Sequence, residues 1–277
     1  MLRPWKEQVM KRSQEVIGRT LVNLEGFSTI CRIQECNLGN LITDGMVYGN
    51  RKSSEQDPDE WTDVTIAFTN SGGIRDTILR GVGNCFSFSL CIVFGNVTIN
   101  NVLNVMPFQN TIDAITIKGK YLQAALEHSV SRYSPCSQTG DLFGGFLQVS
   151  GLRVKYDLSQ PVGQRVVSVQ ALCNDCLVPR YFPLKAEKVY KVILPSFVRT
   201  GGDGYTMFRD NALTTDLYNM LDSEVFINFI RETSPITQGI EGRINIRGGP
   251  QRLPYGLSLD ITLQRSHFRW ASTVTVA

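Results

Sequence analysis

The chain reads VYKVILPSFVRTGGDGY over residues 189–205. Its first part, Val189 to Leu194, is a run of apolar and β-branched residues that is typical of a buried strand. The second part places three glycines around Asp203, where they allow positive φ angles and a close approach of the backbone to a ligand. Asp203 offers acceptors for paired hydroxyl groups, and Phe197 offers a flat apolar face. The segment therefore predicts a strand followed by a loop suited to a sugar and an aromatic base, although a solvated turn would have the same composition.

Length and composition are those of an ordinary globular protein. The chain has 277 residues with 42% hydrophobic content, enough for one large domain or two small ones. Its net charge of +3 is too small to indicate a nucleic-acid partner, but it is compatible with a small anionic ligand. The sequence contains no apolar run near the roughly 20 residues of a membrane helix, and residues 1–6 lack the apolar core of a signal peptide. We therefore expect no nucleic-acid partner and no membrane span.

Helical and strand patterns alternate along the chain, which is typical of the α/β class. The predicted helices are 4–16, 37–46 with Asn37 as N-cap, 120–133, and 223–231 with Asp222 or Ser223 as N-cap. The predicted strands are 20–24, 64–68, 114–117, 152–156, 166–169, 189–194 and 243–246. Residues 51–63 are polar and are expected to form an exposed loop.

Two pairs of cysteines are close in sequence. Cys31 and Cys36 are five residues apart, and Cys173 and Cys176 are three apart, without neighbouring histidines. This spacing gives little support to a zinc site and favours two short-loop disulfides. Disulfides indicate an oxidising compartment, which conflicts with the missing signal peptide. The conflict suggests that the sequence is incomplete at its start.

Three further segments carry candidate ligand-binding residues. Asn70 to Arg75, NSGGIR, follows a predicted strand, and its arginine can present a bidentate fork to phosphate. A disulfide from Cys31 to Cys36 would hold Arg32 in a tight loop as a second guanidinium. Phe108 follows a proline on an irregular segment and could oppose Phe197 as a clamp for a base. The alternatives are a surface arginine and two phenylalanines of the core.

Histidine is too scarce for a histidine-rich metal centre. His128 and His267 are the two histidines of the sequence, and neither belongs to a ligand cluster such as HExxH. The chain therefore does not encode a histidine-rich two-metal hydrolase site. We expect His128, on the predicted helix 120–133, to be a hydrogen-bonded structural residue.

Five motifs in a fixed order carry a family resemblance. They are CRIQECNLGNL at 31–41, NSGGIR at 70–75, EHSV at 127–130, YKVILP at 190–195 and GGDG at 201–204. Over about residues 5–247, the chain resembles the C-terminal domain of animal ecto-5'-nucleotidases, a family that includes the salivary apyrases of blood-feeding arthropods. The resemblance implies an α/β (α+β) fold in which a mixed β-sheet is layered with helices. It also implies an interdomain linker helix over 1–17, followed by the nucleotide-binding domain over 18–247.

The resemblance assigns substrate binding, and no catalytic residue, to this chain. In that family an N-terminal metallophosphoesterase domain carries two divalent metals, here expected to be zinc, and the C-terminal domain rotates to deliver the nucleotide to them. The implied reaction is hydrolysis of a nucleoside 5'-monophosphate, with AMP as the expected ligand. The chain alone is therefore expected to bind nucleotide without hydrolysing it, and to lack that N-terminal partner domain.

Six residues of this chain match the family's ligand-binding positions. The resemblance implies that Phe108 and Phe197 sandwich the base and that Asp203 binds the ribose hydroxyls. It also implies that three residues engage the phosphate end, namely Arg32, Asn70 and Arg75. For the family as a whole it implies an extracellular or cell-surface location, and in some relatives a homodimer.

Two segments depart from the family pattern. Residues 81–94 form an apolar insertion, read either as a buried strand or as a gene-model error. The tail 248–277 diverges and has no hydrophobic end of the kind that a lipid anchor requires. The alternatives to a nucleotidase domain are a non-catalytic scavenger of extracellular nucleotides, a fragment of an apyrase that acts on ADP or ATP, and a truncated gene product.

Overall fold

The computed structural model describes residues 12–53, 61–81, 95–133 and 142–248. Seven α-helices lie in these ranges: α1 Ser28–Cys31, α2 Asn37–Ser53, α3 Ile99–Val105, α4 Gly119–Ser129, α5 Ser196–Arg199, α6 Thr206–Asn211 and α7 Asp222–Thr233. The strands are β1 Val16–Arg19, β2 Ile66–Asn70, β3 Asn96–Thr98, β4 Thr111–Lys118, β5 Leu147–Ser150, β6 Leu152–Asp157, β7 Val166–Leu172, β8 Tyr181–Pro183, β9 Val189–Pro195, β10 Thr214–Leu221 and β11 Ile244–Arg247. Short 3₁₀ turns follow β2 at Ser71–Gly73 and α5 at Gly202–Gly204. Most of the predicted insertion, residues 82–94, and the tail from 249 lie outside the described residues.

The predicted strand at 189–194 is the centre of the main sheet. Five strands lie in the order β10-β4-β9-β2-β5. Strand β9 pairs in parallel with β2 and antiparallel with β4, so the sheet is mixed, as expected. Because β9 has a strand on each side and a packed layer on each face, residues 192–194 are fully buried. The consecutive apolar residues 192–194 therefore reflect burial on both faces.

The two faces of the main sheet support two separate hydrophobic clusters. Ile193 points into one cluster with helices α2, α3 and α7, while Val192 and Leu194 point into the other with α4 and α6. This division follows from the alternation of side chains along a strand. The apolar positions predicted for α2 and α4 are buried as expected, including Leu38 and Leu122. The layered α/β fold class is thus confirmed.

A second mixed sheet closes the α4 side of the domain. Its order is β11-β6-β7-β8, and β11 is a parallel edge strand beside β6. Buried residues of β6 and β7 join the same cluster as α4. Arg243, immediately before β11, is buried and donates hydrogen bonds to both carboxylate oxygens of Asp44 on α2 at 2.8 and 2.6 Å. It also donates to the carbonyl of Val149 at 2.9 Å, so one guanidinium links β11 to the main body.

The structure corrects two local predictions. The first strand is Val16–Arg19, not 20–24, and it pairs with β3. The helix expected over 4–16 therefore ends before Val16. The part of that helix up to residue 11 lies outside the described ranges. The predicted caps of the last helix are also wrong, because α7 begins at Asp222 with Leu221 at the N-cap position and no side-chain cap bond. Strand β10 leads directly into this helix, so an extended strand residue takes the place of a capping turn.

Both predicted disulfides are present. Cys31 is bonded to Cys36 and Cys173 to Cys176, with Cα atoms 5.1 and 5.9 Å apart. In the described part of the chain, none of the helices has both the length and the apolar character that a bilayer span demands.

Candidate functional site

A cavity of about 490 Å³ opens at one edge of the main sheet, and all six predicted ligand-binding residues line it. The six are Arg32, Asn70, Arg75, Phe108, Phe197 and Asp203. They come from four segments that are far apart in the sequence. The structure therefore brings the entire predicted set together, and adds Asn110 and backbone of Gly72, Gly73 and Gly144 to the lining.

Strand pairing explains why these segments meet. Strands β2 and β9 are parallel, so the residues that follow them, Asn70 to Arg75 and Ser196 to Asp203, lie at the same edge. Strand β4 is antiparallel to β9, with Ile112 opposite Pro195, and the segment that precedes it therefore starts from this edge too. The cavity thus lies outside the carboxyl ends of two parallel strands, a common position for ligand sites in α/β proteins.

The loop around Asp203 has the left-handed backbone that its glycines predicted. Gly201 and Gly204 have φ angles of 98° and 89°, and Asp203 itself has φ 52° and ψ 14°. The amide nitrogen of Asn70 donates a hydrogen bond to Asp203 Oδ2 at 2.7 Å. This bond joins the end of β2 to the turn that follows α5 and fixes one oxygen of the carboxylate. Both oxygens retain lone pairs for further donors, such as hydroxyl groups.

The two phenylalanines that were predicted to clamp a base are both partly exposed. Phe108 is 55% and Phe197 is 42% exposed, so both rings present apolar surface to the cavity. The guanidinium of Arg75 lies 5.1 Å from the centre of the Phe108 ring, a cation–π contact that the sequence did not predict. A Cβ atom on Gly202 would lie 2.6 Å from the Phe197 ring, so a side chain at this position would displace the ring. Phe108 thus packs against Arg75, and Phe197 packs closely on Gly202.

Arg32 projects from the loop that the first disulfide closes. Its Nη1 donates to the carbonyl of Leu142 at 2.9 Å. The loop is anchored by the buried side chain of Gln148, which donates to the carbonyls of Cys31 and Gln34 at 2.8 and 2.7 Å and accepts from the Cys36 amide. Sequence reasoning missed Gln148, and its one signal is an amide between two apolar residues, Leu147 and Val149. This anchor, together with the disulfide, limits the freedom of the Arg32 backbone.

A buried ion pair lies behind Phe197. Arg199, two residues further along α5, donates from Nε to Asp113 Oδ2 at 2.6 Å. The Asp113 side chain is 1% exposed, and its strand β4 runs beside β9. The pair therefore fixes the short helix that carries Phe197 onto the sheet. Asp113 was not predicted, because nothing near it in the sequence indicates a partner 86 residues away.

Asn110, in the cavity wall, is held by the backbone of a second buried acidic residue, Asp222. The Asp222 amide donates to the Asn110 carbonyl at 2.9 Å, and the Ser223 amide donates to Asp222 Oδ1 at 2.7 Å. Burial raises the pKa of Asp222 from 3.8 to about 6, against the opposing effect of hydrogen bonds from Ser223 and Asn110. This carboxyl group therefore titrates in a mildly acidic range.

The raised pKa of Asp222 predicts a pH dependence of stability. A folded-state pKa above the unfolded value gives stability that is present below about pH 4 and is lost as the pH rises through about 6. Asp222→Asn removes this pH-dependent contribution. We therefore expect the free energy of unfolding of the variant, relative to that of wild type, to rise by on the order of 2 kcal/mol between about pH 4 and pH 6. Urea unfolding at pH 4, 5, 6 and 7 measures it. Glu224→Gln, an exposed carboxylate in the same helical turn, is the control, and a pH-independent difference for Asp222→Asn would contradict the assignment.

His128 is hydrogen-bonded, as expected, and its partner belongs to the site. Its Nε2 lies 2.8 Å from the carbonyl oxygen of Asp203. Among the described residues, four cysteines are disulfide-bonded and His128 faces a carbonyl, so these side chains do not suit a two-metal centre. Within the described ranges, no group of three or more His, Cys, Asp or Glu side chains could hold a metal ion.

Comparisons with known proteins agree on one family. The family model for the 5'-nucleotidase C-terminal domain matches residues 16–210. The snake venom 5'-nucleotidase of Naja atra is 41% identical over 244 residues, which are 88% of this chain and 42% of that protein. The 5'-nucleotidase of Homo sapiens is 39% identical over 245 residues, covering 88% of this chain and 39% of the relative. The chain thus spans about two fifths of the length of these relatives.

A solved structure agrees with the fold. The 5'-nucleotidase precursor of Thermus thermophilus superimposes with a TM-score of 0.74 at 35% identity, covering 90% of this chain and 43% of that one. The NAD nucleotidase of Haemophilus influenzae has the same fold, with a TM-score of 0.65 at 22% identity and coverage of 89% of this chain and 40% of its own.

Proposed function

The chain belongs to the 5'-nucleotidase family and corresponds to the C-terminal domain of its members, and we propose that it binds a nucleoside 5'-monophosphate in the cavity described above. The observation that carries the proposal is that six side chains from four distant segments line one cavity of about 490 Å³. That volume lies within the range of roughly 300–1,000 Å³ usual for small-molecule sites. The lining combines exposed aromatic rings, a carboxylate and two guanidinium groups, which match a base, a sugar and a phosphate respectively.

Each part of the ligand has a physical counterpart. Phe108 and Phe197 stack on the two faces of the base, and Asp203 accepts hydrogen bonds from the ribose hydroxyls. Arg32 and Arg75 neutralise the phosphate, with the Asn70 amide beside them. The Arg75 guanidinium lies over the Phe108 ring, so one side chain would contact both the phosphate group and one ring of the base clamp.

Hydrolysis belongs, on this proposal, to a separate metal-bearing domain. The metals would supply an activated water molecule and stabilise charge on the phosphoryl group. The residues of this chain bind and orient the nucleotide and carry no step of the reaction. Purified chain with added Zn²⁺ or Mg²⁺ should therefore release no phosphate from AMP at an enzyme-like rate, and such release would overturn this division of roles.

Calorimetry with AMP tests the binding site directly. We expect the 277-residue chain to bind AMP with a sub-millimolar Kd and Phe197→Ala to weaken binding about 10-fold or more, because base stacking contributes about 1–3 kcal/mol. Asp203→Ala should have an effect of similar size, since hydrogen bonds to charged groups contribute about 1.5–3 kcal/mol. Phe182→Ala is the matched control, because this phenylalanine is 51% exposed on β8 and does not line the cavity. A folded wild-type chain that binds no AMP would refute the proposal.

Location and assembly follow from the same proposal. The two disulfides and the venom origin of several relatives support a secreted or cell-surface protein. The sequon Asn96-Val97-Thr98 starts at an exposed residue of β3, where a glycan would have access. Homodimer formation stays a prediction, which sedimentation measurements can test.

A further inference from the structure

Asp203 needs external support for its backbone. Its φ of 52° lies in the left-handed region, which disfavours a residue with a Cβ atom by roughly 1–2 kcal/mol. Aspartate tolerates this region better than most residues, but its conformation persists where the surroundings fix it. The flanking glycines, Gly201 and Gly204, permit the turn without stabilising it.

The support on the backbone side is His128. A carbonyl oxygen can only accept, so the 2.8 Å contact requires that His128 Nε2 carries a proton and donates to Asp203. The histidine ring also approaches the next residue closely, because a Cβ atom on Gly204 would lie 2.9 Å from its Cε1 and Nε2 atoms. The ring therefore fixes the loop through one hydrogen bond and through direct packing.

His128 is itself held in place from several directions. Its ring packs edge-on against Tyr205 and Phe143, with ring centres 4.8 and 5.6 Å apart. The preceding residue, Glu127, accepts hydrogen bonds from the amides of Arg165 and Val166 at 2.9 and 2.8 Å. These contacts tie the end of α4 to the start of β7. These contacts therefore fix the imidazole relative to α4 and the second sheet.

Two contacts, one to the backbone and one to the side chain, thus define the direction of the Asp203 carboxylate. His128 holds the backbone carbonyl, and Asn70 holds Oδ2 at 2.7 Å. The two contacts come from α4 and β2, which belong to different parts of the chain. Because a vicinal diol needs acceptors in a set direction, a change of backbone conformation at Asp203 would affect hydroxyl binding before it affected base stacking.

We infer that His128 is a positioning residue that orients Asp203 toward the two ribose hydroxyls and thereby makes the cavity selective for ribonucleotides over nucleotides that lack them. The inference deepens the proposed function and rests on it. It assigns His128 no contact with the ligand and no part in the chemistry.

The test compares AMP with 2',3'-dideoxy-AMP by calorimetry on the 277-residue chain and two variants. His128→Leu keeps an apolar side chain but has no donor, whereas His128→Gln places an amide donor near the position of Nε2. We expect wild type to prefer AMP about 10- to 100-fold, on the basis of hydrogen bonds to a charged group. His128→Leu should bind AMP about 10-fold more weakly and bind the dideoxy nucleotide as wild type does. His128→Gln should recover most of the preference.

The outcomes separate the two proposals. Equal weakening of both ligands by His128→Leu, or no weakening of either, would overturn the positioning role while leaving the nucleotide site intact. A folded wild-type chain that binds neither ligand would instead overturn the proposed function, and the present inference with it. Thermal unfolding of each variant checks that it is folded, and His128→Gln provides the comparison if His128→Leu does not fold.

Discussion

Replacing Arg243 by methionine is expected to lower the free energy of unfolding by about 3–5 kcal/mol, the usual cost of removing one partner from a buried ion pair. The Arg243 side chain is 9% exposed and binds Asp44 through two nitrogens. It also interacts with Glu241 and donates to the Val149 carbonyl. Methionine fills part of the volume but leaves Asp44 and a buried carbonyl without this donor.

Local opening should accompany this loss. Strand β11 is an edge strand that begins one residue after Arg243, so its amides should exchange hydrogen faster in the variant. Arg231→Met is the matched control, because Arg231 pairs with Glu15 at the surface, where both side chains are more than 40% exposed. If urea unfolding gave equal losses of free energy of unfolding for Arg243→Met and Arg231→Met, the burial of Arg243 would not be the source of its contribution to stability.

Asp113→Ala is expected to lower the free energy of unfolding by about 3 kcal/mol, because it too removes one partner of an ion pair with a buried member. Its carboxylate is almost completely buried and pairs with Arg199, whereas Arg243 pairs with two carboxylates and also donates to a buried carbonyl, so the lower end of the range applies. Because Arg199 is two residues from Phe197, the same variant should bind AMP more weakly while keeping both clamp rings. Urea unfolding and calorimetry on one protein preparation measure the two effects.

A double-mutant cycle assigns the effect to the pair. If Asp113 and Arg199 stabilise the fold through each other, Asp113→Ala combined with Arg199→Met should cost less than the sum of the two single changes. Asp210→Ala, which breaks the exposed pair with Arg209, should change stability little. Additive losses in the cycle would mean that the two residues act independently.

The parts of the fold that the sequence predicted are those in which side-chain pattern and burial agree. The second half of strand β9 was evident because burial on both faces favours consecutive apolar residues, here 192–194. Strand β10, with the sequence TTDLYNML, was missed because it is a half-exposed edge strand. Its pairing with β4 is interrupted by a bulge between Leu217 and Met220, and Asn219 has a positive φ of 53°. An interrupted edge strand has no clean alternation to detect.

Strand β1 shows a second reason why an element cannot be predicted from the local sequence. Val16 lies at the end of the predicted helix 4–16. In the fold it starts β1, where Ile17 rather than Val16 is buried. Pairing with β3, about 80 residues further along the chain, determines this choice, and local spacing contains no information about it.

The candidate site was predictable in its lining but not in its supports. Residues such as Asp203 and Arg75 have a recognisable chemistry, and the family resemblance set them in one group. Gln148, Asp113 and the contact made by His128 act through partners that are between 75 and 117 residues away. Such pairs arise from sheet order and helix placement, so they become visible only once the chain is folded.

The hydrogen bond between Asn70 and Asp203 connects positions that are 133 residues apart, and Arg32 stands still earlier in the chain. During synthesis, the cavity therefore cannot form until the chain beyond Asp203 has left the ribosome and β9 has entered the sheet. A proteolytic cut between those positions that let the two parts separate would likewise divide the site. The proposed ligand affinity is accordingly a property of the completed sheet, and no short segment of the chain contains all the residues that it requires.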